Sequence, residues 1–226
     1  MRWLYSIVLY LMLPLALLRL WFRGRRVPGY RRNLKERFGF VAAAPVQPVI
    51  WFHAVSVGEV RAAQPLVNAV LERYPDFSVL VTTATPTGRE TAQQVFGNAV
   101  GHHYMPYDLP ASVRRFLQLV QPVMVVILET EIWPNLYSRL EKKSIPLLLV
   151  NARLSQQSLR GYLRLRALSR SALHSVWHIA AQSEQDAQRF RRLGARAAQL
   201  SVMGNLKFEM QLPDDFSVRV RVLRDS

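Results

Sequence analysis

From about Val46 onward, short apolar runs alternate with longer segments of helical period, and this alternation constrains the chain more than any other feature. "PVIWFHAV" (48–55), "SVLVTTAT" (78–85), a short run in "GHHYMPYDL", "VMVVIL" (123–128), "IPLLLVN", "HIAAQS" and "QLSVMGN" read as strands. The segments between them read as helices: "GEVRAAQPLVNAVLERYP" up to Pro75, a helix near 89–96, one opened by Asp108-Leu109-Pro110, and "TEIWPNLYSRLEKKS" with Pro134 in its first turn. A long basic helix is expected from Gln156 to about Ser175, and Ser183 caps a further helix to about Leu193. Strands that alternate with helices imply a parallel sheet covered on both faces. Residues 46–210 are therefore expected to form one doubly wound α/β domain.

The segment before this domain has a different character. "WLYSIVLYLMLPLALL" (3–18) carries one Ser and no charge; Arg19 interrupts it and Leu20-Trp21-Phe22 resumes it. A membrane span needs roughly 20 apolar residues, so the length suits a span, an interfacial helix or a buried core helix. Aromatic residues stand at both ends, where membrane interfaces favour them. A cleavable signal would carry its basic residues first and a small-residue site after. Here the cluster Arg23, Arg25, Arg26, Arg31, Arg32, Lys35 and Arg37 follows the apolar run. We read residues 1–22 as a membrane anchor with the body on the cytoplasmic side, and 23–45 as a basic juxtamembrane segment. The tail from 211 to 226 reads as the start of a linker, so the chain is expected to stop short of a further lobe.

Charge narrows the partners. Thirty Lys and Arg face fifteen Asp and Glu, a net charge of +15. From Arg2 to Arg37 nine basic residues face one acid, and from Arg153 to Lys207 ten face two, so each region carries +8. Such an excess suits phosphate-bearing partners, nucleic acid or anionic lipid. Tyr162 is the one aromatic inside the Arg160–Arg170 stretch, which argues against nucleic acid, as does the apolar N-terminus. Arg153, Arg160, Arg164 and Arg170 follow a roughly helical spacing, and Arg forks suit phosphate; the alternative is a solvated helix face. With no cysteine in the chain, a disulfide framework, a thiolate metal site and a cysteine nucleophile are excluded.

In an open parallel sheet, ligands bind beyond the carboxyl ends of the strands. The loops there carry His53, Ser56, Gly58 and Glu59 after the first strand, Glu129-Thr130-Glu131 after "VMVVIL", and Gly204-Asn205-Leu206-Lys207 after the last. Glu59 is expected at a helix N-terminus, where the dipole keeps a carboxylate ionised by about 0.3–1 kcal/mol. Two readings stay open: ordinary capping of the first turn, or a general base beside a bound hydroxyl. The same choice holds for Glu129. His174 and His178 have the spacing of a metal pair but lack a third ligand nearby and are expected to be packing residues. His102-His103 is expected to be a surface pair. Neither a Walker A loop nor G-x-G-x-x-G occurs, so a nucleotide held in a glycine cradle is not expected.

The blocks "HAVSVGEV", "TTATPTG", "YMPYDLP", "LETEIWPN", "NARLS", "AAQSEQDAQRF" and "GNLKFE", in this order behind "LRLWFRGRR", resemble the 3-deoxy-D-manno-octulosonic acid (Kdo) transferases. The resemblance runs from about Leu4 to Glu209. It implies the acceptor-side Rossmann-like lobe of a GT-B fold, with the donor-binding C-terminal lobe absent from this chain. It implies transfer of Kdo from CMP-Kdo to a lipid A precursor at the inner membrane, with inversion, no metal and no cofactor. It further implies Glu59 as general base, with Glu129 and Lys207 stabilising the transition state.

Overall fold

The structure is a computed structural model of the chain and describes residues 1–43 and 45–204. A long helix, α1 (Arg2–Arg26), precedes two short 3₁₀ turns at Pro28–Arg31 and Leu34–Phe38. The domain then runs β1 (Val49–His53), α2 (Val57–Arg73), β2 (Ser78–Thr83), α3 (Pro86–Phe96), β3 (Gly101–Tyr104), α4 (Pro110–Val120), β4 (Pro122–Leu128) and α5 (Pro134–Lys142). It continues with β5 (Leu147–Ala152), α6 (Gln156–Arg164), α7 (Arg166–His174), β6 (His178–Ala181), α8 (Glu184–Leu193) and β7 (Leu200–Val202). All seven strands are parallel, in the order β3-β2-β1-β4-β5-β6-β7.

Strand residues alternate between faces, and here both faces are covered. Trp51, Val125, Ile127, Leu147 and Leu149 pack on one side with Phe116 of α4, Tyr137 of α5 and Phe190 of α8. Ile50, Phe52, Val79, Val81, Val126 and Val150 pack on the other with Val60, Val67 and Ala92 of α2 and α3. This two-sided burial is why the strands are apolar at successive positions. Trp51 is fully buried 4.7 Å from the Phe116 ring, and its indole N–H donates to Thr82 Oγ1 at 2.8 Å. The bond satisfies a polar atom that burial would otherwise penalise.

Local chemistry sets the helix ends. Pro86, Pro110 and Pro134 each stand at the first position of a helix, where a missing N–H costs nothing. Ser183 caps α8 by accepting the Asp186 N–H at 3.1 Å. Helix α3 begins at Pro86, earlier than expected, because Thr85 accepts the Gly88 N–H at 3.1 Å.

The expected long helix after Gln156 is two helices. Leu165 breaks it with φ −115° and ψ 40°, and the Tyr162 carbonyl at the end of α6 accepts both the Leu165 N–H and the Ser169 hydroxyl. The two pieces then pack differently, α6 on α8 and α7 on α5.

The segment from 28 to 40 is built into the body. Arg37 is 5% exposed, lies over the Tyr104 ring and donates to the Ala84 carbonyl. Glu36 accepts from Arg89 at 2.6 Å and from the Tyr104 N–H at 2.7 Å.

Candidate active site

The strand order reverses direction between β1 and β4, so the loops after these two strands part and leave a crevice at the carboxyl edge of the sheet. Glu59 enters it from the first turn of α2 and Glu129 from the end of β4. Glu131 follows two residues later, in the irregular stretch before α5.

Glu59 is 9% exposed. Its Oε2 accepts the Val55 N–H at 2.7 Å, and its Oε1 accepts the Ser56 hydroxyl at 3.1 Å. The S-x-x-E spacing is that of a capping box, but the reciprocal pair does not form. Ser56 makes no side-chain cap to the helix and points its hydroxyl at the carboxylate instead. The expectation that the helix dipole keeps Glu59 readily ionised is corrected here. Burial pushes its pKa up to about 7, aided by the charge of Glu129 and opposed by the Val55 and Ser56 hydrogen bonds. Glu131 is likewise pushed up to about 7, by burial and then by the charges of Glu59 and Glu129. Three carboxyl groups that share one poorly hydrated crevice make each successive ionisation harder.

Glu129 has φ 58°, a left-handed conformation that a non-glycine residue adopts at a cost of about 1–3 kcal/mol. Its N–H donates to the Val150 carbonyl at 2.9 Å, so the turn is tied to the neighbouring strand. Asn151, next to that carbonyl, has φ 56° as well. The Thr130 hydroxyl donates to the Arg153 carbonyl and the Tyr137 hydroxyl to the Glu131 carbonyl, so backbone and side chains hold the loop from both sides.

Deeper in the edge, His53 is fully buried with Nδ1 2.9 Å from Thr82 Oγ1, and burial lowers its pKa to about 4, so the ring is neutral. Among the described residues, His53 Nε2, Thr83 Oγ1 and Trp133 Nε1 are buried without a hydrogen-bond partner. Three unpaired polar atoms at the carboxyl ends of β1 and β2 and at the mouth of α5 are the pattern expected where a ligand or water completes a site. Glu131 and Trp133 do not stand out as site residues in the sequence, because each resembles an ordinary residue near a helix start.

Arg153 follows β5 on the same edge and is exposed. Arg160 and Arg164 are exposed and share a face of α6, four residues apart, with no ion pair among the described residues. Tyr162 lies on the opposite face of that helix and is electrostatically coupled to Glu131, so the basic face turns away from the carboxylates. With the break at Leu165, the Arg153–Arg170 stripe is not a single helical face. Lys207 lies outside the described residues. His174 bonds the Gly194 carbonyl and His178 the Ser201 hydroxyl, which makes both packing residues. His102 and His103, expected at the surface, are half-buried, His103 lying 3.5 Å from Glu36. No group of three or more His, Cys, Asp or Glu among the described residues is arranged to hold a metal ion.

A parallel sheet of this order, with its crevice at the switch point, places the chain in the doubly wound α/β class, with GT-B-like neighbours. UDP-GlcNAc 2-epimerase from Neisseria meningitidis, solved with UDP-GlcNAc, shares the fold at a TM-score of 0.52 and 15% identity over 78% of this chain and 50% of its own. A putative UDP-N-acetylglucosamine 2-epimerase from Listeria monocytogenes matches at a TM-score of 0.50 and 15% identity, over 71% of this chain and 46% of its own. Residues 32–210 match the family described as 3-deoxy-D-manno-octulosonic-acid transferase (kdotransferase), and the chain belongs to that family. It is 38% identical over 225 residues to the 3-deoxy-D-manno-octulosonic acid transferase of Haemophilus influenzae, covering 99% of this chain and 53% of that protein. It is 40% identical over 222 residues to that of Bordetella pertussis, covering 94% of this chain and 51% of the relative. The chain thus spans about half the length of the curated relatives it matches.

Proposed function

We propose that the chain supplies the acceptor side of a glycosyltransferase that moves Kdo from CMP-Kdo to a lipid A precursor in lipopolysaccharide synthesis. The reaction inverts the anomeric centre and uses neither metal nor cofactor. The observation that carries the reading is the meeting of Glu59, Glu129 and Glu131 in one crevice at the β1/β4 switch, in a chain of this family.

A base at this place has one task. The acceptor hydroxyl donates its proton to a Glu59 oxygen as that hydroxyl's oxygen attacks the anomeric carbon and the CMP phosphate leaves with the bonding electrons. A carboxyl group with a pKa about 7 is half ionised near neutrality and accepts a proton more readily than an ordinary surface carboxylate. Glu129 shapes the crevice from the other side, and its charge raises the proton affinity of Glu59. Lys207 balances negative charge on the donor in the transition state. Arg153, Arg160 and Arg164 engage phosphate on the acceptor or on anionic lipid, and α1 holds the assembly at the cytoplasmic face of the inner membrane. Helix α1 is long and apolar enough to cross a membrane.

The test is transfer of labelled Kdo from CMP-Kdo to a lipid A precursor by the protein at its relatives' full length, with Glu59→Gln as the comparison. Transfer by the parent and its loss in the folded variant support the reading. No transfer by the parent reduces the chain's role to binding the lipid acceptor.

A further inference from the structure

Helix α1 is tied to the body at both ends. At its N-terminal end the Tyr5 hydroxyl donates to Asp108 Oδ2 at 3.1 Å, and Asn135 Nδ2 donates to Ser6 Oγ at 3.0 Å. Asp108 is no loose surface group: it is 3% exposed, and it caps α5 by accepting the Asn135 and Leu136 N–H groups at 2.9 and 2.8 Å. At the other end the chain turns straight back into the body. Arg31 lies over the Trp21 ring at 4.0 Å and donates to the Trp21 carbonyl, filling the space beside Gly24. Gly29 meets Pro86, and its carbonyl accepts the Tyr104 hydroxyl. Between the two ends, residues that are not fully exposed recur on one face: Tyr5, Ser6, Leu9, Leu13, Leu20 and Gly24. The other faces are apolar and exposed, with Trp3, Leu11, Leu15, Leu18, Trp21 and Phe22 all more than half uncovered except Leu18, at 50%.

We propose that α1 is a single-leaflet anchor, lying along the bilayer surface with both ends on the side of the globular body, and not a span. The proposal rests on the membrane reading given above. Its partner is one leaflet of anionic lipid, indicated by the apolar faces together with the flanking Arg19, Arg23, Arg25, Arg26 and Arg32, all exposed.

Magnitudes separate the two arrangements. From Tyr5 to Arg26 a helix extends about 30 Å, the thickness of the hydrocarbon core. A span with the arginine cluster beside the body would put Tyr5 in the far headgroup layer. Asp108, buried in the body between β3 and α4 and bonded to α5, cannot follow it there. Pro14 adds a second argument. It has no N–H for the Tyr10 carbonyl one turn back. In a lone span that carbonyl would sit near the middle of the hydrocarbon with no neighbouring helix to satisfy it. On the leaflet surface, water and headgroups are within reach. The docked end also lies beside the site, since Tyr5 is electrostatically coupled to Tyr162, and Tyr162 to Glu131. An α1 in the plane of the leaflet therefore sets the carboxylate crevice at the lipid surface.

The chain has no cysteine, so single cysteines report cleanly. Arg2→Cys marks the N-terminal end of α1. Glu72→Cys, exposed on α2 across the sheet from α5, marks the body. Both variants are treated with a membrane-impermeant maleimide in sealed inverted membrane vesicles and in right-side-out spheroplasts. The proposal expects equal labelling of both in inverted vesicles and of neither in spheroplasts. Labelling of Arg2→Cys only from the side opposite Glu72→Cys, or from neither side, would overturn it and leave the anchor reading standing. Recovery of the parent chain in the soluble fraction would overturn both.

Discussion

Glu59 and Val55 close a five-residue loop on themselves: the Val55 N–H meets Glu59 Oε2 at 2.7 Å and fixes the carboxylate before any ligand arrives. The bond favours the ionised form, yet burial and the Glu129 charge outweigh it. In the proposed role of base, a carboxylate so placed and raised towards neutrality would need little reorganisation to take a proton.

Glu59→Gln in the protein at its relatives' full length should lower turnover by about 10²- to 10⁴-fold, the usual worth of general-base assistance. Gln preserves the size and one acceptor oxygen, so affinity for the lipid acceptor should change little. Steady-state transfer assays on variants shown by circular dichroism to be folded measure both. A loss confined to KM would assign Glu59 to binding.

The pH profile should follow the shared crevice. A base works when deprotonated, so kcat/KM should rise with pH through about 7, where Glu59 titrates. Glu129→Gln removes the neighbouring negative charge that raises Glu59, so the rising limb should move to lower pH. An unmoved limb would show that Glu129 and Glu59 do not share a field.

Asp108 gives a stability test with a definite sign. Burial raises its pKa from 3.8 to about 7, although the Asn135 and Leu136 N–H groups and the Tyr5 hydroxyl oppose the rise. The folded state therefore binds the proton more tightly than the unfolded chain. The stability linked to that proton is fully present below about pH 4 and is lost as pH climbs through about 7. Asp108→Asn should flatten this decline in a series of thermal melts. Asp108→Ala should cost about 1–3 kcal/mol in acid, because two buried N–H groups lose their acceptor, and the cost should shrink as pH climbs through about 7.

Arg160→Glu with Arg164→Glu should weaken binding to vesicles containing phosphorylated lipid and reduce its salt dependence, with little effect on thermal stability. Both side chains are exposed and unpaired among the described residues, so the fold does not use them. Co-sedimentation at several salt concentrations reads the effect.

The parts of this fold visible in the sequence are those that depend on near neighbours. The two-sided strands, the proline starts of α4 and α5 and the Ser183 cap are each written within a few residues. So is the position of Glu59 and Glu129 at strand ends, which the open-sheet rule picks out. Contacts between distant residues were not visible. Asp108 reads as a helix opener ahead of Pro110, while its carboxylate serves α5, more than twenty residues on, and Tyr5 of α1. The basic residues around Arg37 read as a membrane-facing cluster, yet Arg37 itself is packed on Tyr104. The break at Leu165 had no Gly or Pro to announce it; it follows from α6 and α7 docking on different partners. Lys207, expected beside the two glutamates, falls outside the described residues.

The backbone at Glu129 sets stability against chemistry at a single position. A left-handed φ of 58° is comfortable for Gly or Asn and uncomfortable for Glu. Random libraries at this codon, sorted only for resistance to heat or protease, should enrich Gly and Asn over the parent residue. Sorted for sugar transfer, the same libraries should return Glu. The divergence between the two outcomes would measure, without any structure of a bound substrate, how far this turn is held in an unfavourable shape for the sake of the group it carries.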